Sequence, residues 1–236
     1  MPEREQTTQN GHVWEEAAVS HSDIESNPWL SAPVRIELPP APVTPPSQVT
    51  GPTRPHPGLT GPRRQLPVVQ RVETPSLWLL GAHGGAGETT LASLVTSWSP
   101  AGHAWPTPAP TTASAWGPPA PTKVVLLARS NAQGLRAAQA AAYQWAANGV
   151  PEVDLVGLVV VADAPGRLPK ALSQYVDVVA GGVPRLWMLP WVEAWRLGDV
   201  PPRSKLSRDV RSVVNDLFAI SHPAGDAEPP SRKDVP

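Results

Sequence analysis

Cysteine is missing altogether from the 236 residues. That removes disulfides, thiolate metal sites and cysteine nucleophiles, and it fits a reducing compartment, so a cytoplasmic protein is expected. An excess of charge of one sign is lacking too: 19 Lys plus Arg against 20 Asp plus Glu leave a formal charge of -1. No bulk field draws the chain to nucleic acid or to an anionic membrane, and any such contact must be local. The longest apolar run, Leu155 to Ala162, falls far short of the roughly 20 residues of a spanning helix. The opening MPEREQTTQNG lacks the basic-then-apolar plan of a signal peptide, so neither secretion by that route nor a membrane span is expected. Six scattered histidines and no Ser-His-Asp order leave no hydrolase or metal constellation.

What is abundant is proline, 32 residues of it, and its placement divides the chain. Thirteen prolines fall from Pro28 to Pro75 and none from Ser76 to Ser99. Each deletes a backbone donor and fixes φ, so runs such as PPAPVTPPS and GPTRPHPGLTGPRR read as solvated linker. Residues 1–74 are therefore expected to be a mostly disordered Pro-rich region, with the acidic stretch around Val13, Trp14, Val19 and Trp29 as a short docking motif or an incidental part of the tail. Residues 223–236 are expected to be a disordered tail. Pro100 to Pro121 reads as a low-complexity insert.

Between these lies one α/β domain, residues 75–222, long enough for a real core. Four short apolar runs alternate with helical stretches, the signature of a mostly parallel sheet with crossover helices. The strands are Ser76 to Leu80, Lys123 to Ala128, Leu155 to Ala162 and Pro184 to Leu189, nearly continuous in apolar character as strands buried on both faces must be. Helices are expected at Thr89 to Trp98, Gln133 to Ala147 and Lys205 to Ile220. The last gathers Leu206, Val210, Val213 and Leu217 on one face. Arg203, Lys205, Arg208 and Arg211 lie elsewhere on it, as an ordinary charged outer face or as a local contact for nucleic acid or an acidic partner.

The first strand runs into GAHGGAGETTLASLV. Strand, glycine loop, helix is a phosphate-binding context, because glycines turn backbone N–H groups inward and the helix start attracts an anion. Against G-x-x-x-x-G-K-[ST], Gly87 matches the second glycine and Thr89 the magnesium-holding hydroxyl, while Ala82 and Glu88 replace the first glycine and the lysine. The stretch His83-Gly84-Gly85-Ala86-Gly87-Glu88-Thr89-Thr90 resembles the deviant loop K-G-G-x-G-K-T-T of the ParA/MinD-like ATPases at six of eight positions. The resemblance extends through Lys123 to Pro190. More narrowly, Leu77 to Asp199 resembles an actinobacterial family of P-loop-like proteins associated with conjugative and other mobile elements. The ParA/MinD-like resemblance implies ATP with magnesium as ligand, a homodimer, a cross-dimer contact at His83 and a phosphate contact at Glu88, whereas the narrower one fixes no activity.

Both lysines are gone, however. A unit charge pair about 4 Å apart is worth roughly 4 kcal/mol at an effective dielectric of about 20, so Glu for Lys removes an attraction and adds a repulsion of that order. A helix terminus returns only about 0.3–1 kcal/mol. Glu88 has a structural alternative as well, supplying its carboxylate to the helix start. Hydrolysis also needs a carboxylate at the end of a second strand, and no Asp or Glu occurs between Thr89 and Pro151. Asp163, closing the third strand in D-A-P-G, is a displaced metal-binding acid or a loop-capping Asp. Ligands of open parallel sheets gather at the carboxyl ends of the strands, so the rim comprises Gly81 to Thr90, Arg129 to Asn131, Asp163 and Pro190-Trp191. There Arg129 would replace the lost lysine charge and Trp191 would stack on a base. The expected function is a degenerate P-loop regulator or partner protein with little or no ATP hydrolysis, linked to mobile-element maintenance or transfer. The alternatives are an ATP-binding dimerisation switch and a scaffold that uses the tail and the basic last helix.

Overall fold

The computed structural model describes residues 49–56, 58–109 and 121–222, all within Val43–Pro236, one of two units into which the chain divides. The Trp14 and Trp29 motif, most of the insert and the C-terminal tail lie outside the described residues.

The five-stranded sheet is parallel throughout. Its strands are β2 (Leu77–Gly81), β3 (Trp98–Gly102), β5 (Thr122–Arg129), β6 (Val153–Val161) and β7 (Leu186–Leu189), in the order β3-β2-β5-β6-β7. Period-two alternation splits each apolar run between two cores. Trp78, Leu80, Val124 and Leu126 face one side, where α2 (Ala132–Ala146) and α3 (Lys170–Ala180) pack through Leu135, Ala138 and Val176. Leu77, Leu79, Val125 and Leu127 face the other, covered by α1 (Glu88–Ala92) and α5 (Arg208–Ser221) through Leu91, Val210 and Leu217, with the one-turn α4 (Glu193–Arg196) between β7 and α5 in the chain. The parallel α/β architecture and its four expected strands are present. Among the described residues no helix is long and apolar enough to cross a membrane.

Three expectations are corrected. The helix Thr89 to Trp98 stops at Ala92, and Trp98 instead opens β3. Trp98 is 4% exposed, with its indole N–H donated to Ser221 Oγ at 3.2 Å. Pro100 is tolerated because β3 is an edge strand with β2 as its one partner. The start of the insert is likewise ordered: β4 (Trp105–Pro108) pairs in parallel with β1 (Val68–Arg71), inside the stretch read as linker. Trp105 and Ala109 donate their N–H groups to Pro67 and Arg71 carbonyls. Pro106 and Pro108 therefore fall at the alternate positions, where the ladder needs no donor. Finally, α3 was not expected; it begins after Pro169 and buries Val176 and Val179.

Upstream of β1, residues 49–56 and 58–66 strap across α2. Leu66 N–H donates to Gln144 Oε1 at 2.9 Å and Gln144 Nε2 donates back to the Leu66 carbonyl at 3.0 Å, so a side-chain amide imitates a strand pairing. The same Oε1 accepts the Trp105 indole N–H at 3.1 Å. Gln144, 2% exposed, is thus a buried polar group with its partners supplied.

Candidate functional site

The glycine loop leaves β2 at Gly81 and enters α1 at Glu88. Ala82 N–H still donates to the Leu127 carbonyl, and Ala86 N–H closes a turn on the His83 carbonyl at 3.3 Å. Gly85 and Gly87 have φ of 76° and 103°, a region that a side chain disfavours, which explains glycine at both. Ala86 is fully buried, Thr89 exposed and Thr90 half-buried.

Glu88 does not cap the helix start, since Gly87 is the N-cap and no side chain bonds there. Its carboxylate turns under the loop instead, leaving Glu88 8% exposed. A Cβ on Gly81 would lie 2.8 Å from Glu88 Oε2 and 2.9 Å from His103 Nδ1, so the absence of a side chain at 81 makes room for both. His103, in the turn between β3 and β4, donates Nδ1–H to the Gly81 carbonyl at 3.0 Å. Its Nε2 then faces Glu88 Oε1 at 3.8 Å, an ion pair when the imidazole is protonated. The turn after β3, beside the loop, thus carries an imidazole.

Arg129, at the end of β5, does not stand free. Its Nε donates to the Gly85 carbonyl at 3.0 Å and its Nη1 to the Ala162 carbonyl at 3.1 Å, bridging the loop to the end of β6. The Arg129 backbone N–H donates to His83 Nε2 at 3.0 Å, while His83 Nδ1 donates to the Gly84 carbonyl at 2.9 Å. That pair of bonds selects the Nδ1–H tautomer. Asn131 caps α2 by accepting Gly134 N–H at 2.8 Å and gives its Nδ2 to Asp163 Oδ2 at 3.1 Å. Ser130 Oγ accepts the Asp163 N–H at 3.0 Å, so Asp163 is held by the turn before α2. Trp191 donates its indole N–H to Glu193 Oε2 at 2.7 Å.

A cleft of about 520 Å³ opens on this rim. The structure gathers His83, Gly84, Gly85, Arg129, Asp163 and Trp191 around it, joined by Asn131, Gln133 and Arg196. Ala86, Gly87, Glu88, Thr89 and Thr90 do not line it. Sequence reasoning missed Arg196 and His103, neither of which lies in a motif; only the fold brings them to the rim and the loop. The donor set does not fit a magnesium triphosphate. Glu88 puts a carboxylate in the first turn of the helix that follows the loop, and Arg129 spends two of its donors on carbonyls.

Arg203 donates to Asn215 Oδ1 and lies over the Phe218 ring at 5.6 Å, and Phe218 in turn stacks on His222 at 4.2 Å. Lys205, Arg208 and Arg211 are exposed.

A family model covers residues 75–214, from the residues before β2 into α5. The chain belongs to this family, Family of unknown function (DUF6668). No curated protein and no solved structure matches the chain. The span matched to DUF6668 includes the loop, the rim cleft and His103, whereas β1 and the strap precede it.

Proposed function

We propose that this DUF6668 protein is a regulator or partner protein built on a retired phosphate loop, with little or no ATP hydrolysis. One observation carries the reading: the Glu88 carboxylate is folded beneath the loop against Gly81 and His103, so the position that should attract phosphate presents buried negative charge. Arg129 supports it, since its guanidinium is bound to loop and strand carbonyls. The resemblance to mobile-element proteins extends the proposal to a protein partner in maintenance or conjugative transfer. The exposed Lys205, Arg208 and Arg211 with Arg203 form the local surface for an acidic partner or nucleic acid, and the cytoplasm is the proposed compartment.

A second reading, a nucleotide-dependent dimerisation switch, draws on the rim cleft, where Arg129, Arg196 and Trp191 line one space. Isothermal titration with ATP, ADP and GTP plus magnesium separates the two, with the melting temperature followed in parallel because a ligand that binds only the folded state must raise it. The proposal expects silence from the wild type. Micromolar binding by the unaltered protein overturns it in favour of the switch. Glu88→Lys should gain affinity if the loop is still shaped for phosphate.

A further inference from the structure

A second cavity, of about 550 Å³, lies away from the rim between α2, α3 and the strap. Its size falls in the range of roughly 300–1,000 Å³ usual for small-molecule sites. The hollow exists because the facing surfaces carry small side chains, Ala140, Ala142 and Ala146 on α2 and Gly182 after α3. The strap bridges it from anchored ends. Thr50 N–H donates to the Pro184 carbonyl, His56 N–H to the Ala146 carbonyl, and Leu66 is paired with Gln144. Gly51 fixes the first anchor, since a Cβ there would lie 2.4 Å from the Val183 carbonyl oxygen. Between the anchors Gly58, at φ 91°, has nothing within 4 Å of where a Cβ would stand.

Large apolar side chains are left to water around this hollow: Leu59 at 39%, Tyr143 at 40% and Val178 at 63% exposure all line it. The mouth is charged with one sign. Arg136 lies on the same helical stripe as Gln139, Ala140 and Tyr143, at spacings of three, four and seven. It is exposed and has no carboxylate partner among the described residues. Gln139 is tied to α3 by the Tyr175 hydroxyl at 2.8 Å. Among the described residues no carboxylate lines the cavity.

From these features we propose that the groove binds an aliphatic carboxylate, its hydrocarbon body against Leu59, Ala140 and Val178 and its single negative head on Arg136. The site is independent of the glycine loop and survives any outcome there. Neutral and cationic amphiphiles share the apolar body, and the head group discriminates between them.

The test uses the full chain with octanoate, decanoate and dodecanoate below their micelle concentrations, read by calorimetry and melting temperature. Affinity should rise about fourfold per added methylene, the worth of one buried CH₂. Arg136→Glu should weaken decanoate at least tenfold and improve decyltrimethylammonium. Ala140→Phe, which fills the groove from a partly exposed position, should abolish the response; Val178→Asp serves the same end if that variant does not fold. The idea is overturned if no member of the series stabilises the protein. It is equally overturned if decyltrimethylammonium binds the wild type as well as decanoate does, since that is surfactant partition.

Discussion

Replacing Arg129 by Met keeps the unbranched stem of the side chain and deletes its guanidinium donors, which tests whether this residue holds the loop or merely charges the rim. Two hydrogen bonds disappear, to the Gly85 and Ala162 carbonyls, while the backbone bond from Arg129 N–H to His83 remains. Hydrogen bonds from a charged donor are worth about 1.5–3 kcal/mol each, but Gly85 is exposed and water can take over its carbonyl. The loss should therefore total about 2 kcal/mol, charged to local opening of the loop as well as to global stability. Since about 1.4 kcal/mol is a factor of ten, amide exchange across Gly84 to Glu88 should accelerate about thirtyfold. Arg129→Lys should behave like the Met variant, because an ammonium cannot span both carbonyls as the planar guanidinium does. Unchanged loop exchange together with an unchanged denaturation midpoint would refute the clamp. Full rescue by Lys would show that charge alone matters.

Two further substitutions test the parts of the fold that were hardest to foresee. Gln144→Leu strands the Leu66 backbone pair and the Trp105 indole N–H; urea denaturation should show a loss of about 3 kcal/mol with little change in slope, and a stable variant would mean that the strap is not held there. Gly157→Ala puts a Cβ 2.4 Å from the Arg185 carbonyl oxygen and 2.6 Å from Trp187 Cζ3; β6 and β7 must part slightly, at about 2 kcal/mol by the usual cost of overpacking, and a melting temperature within a degree of wild type would contradict this packing.

How far the sequence reaches depends on whether its local signal is itself the cause. The runs that became β2, β5, β6 and β7 are apolar at nearly every position, and only burial on both faces satisfies them, so their strand character and the parallel sheet were legible. The same holds for α2 and α5, whose apolar stripes recur at helical spacing. The glycine loop announced itself because a turn with positive φ at Gly85 and Gly87 excludes most other residues. β1, β3 and β4 were not legible. Proline counts against a strand wherever its missing N–H is needed, and that depends on which neighbour lies on which side, a fact of the assembled sheet. The site divides in the same way. That Glu88 stands at the start of the helix after the glycine loop could be read from the chain, and so could the gathering of Arg129, Asp163 and Trp191 at strand ends. That Glu88 turns inward to His103, and that Arg129 is bound to loop and strand carbonyls, was decided by tertiary structure: both partners arrive from segments distant in sequence, and direction and distance govern electrostatic and hydrogen-bond energies.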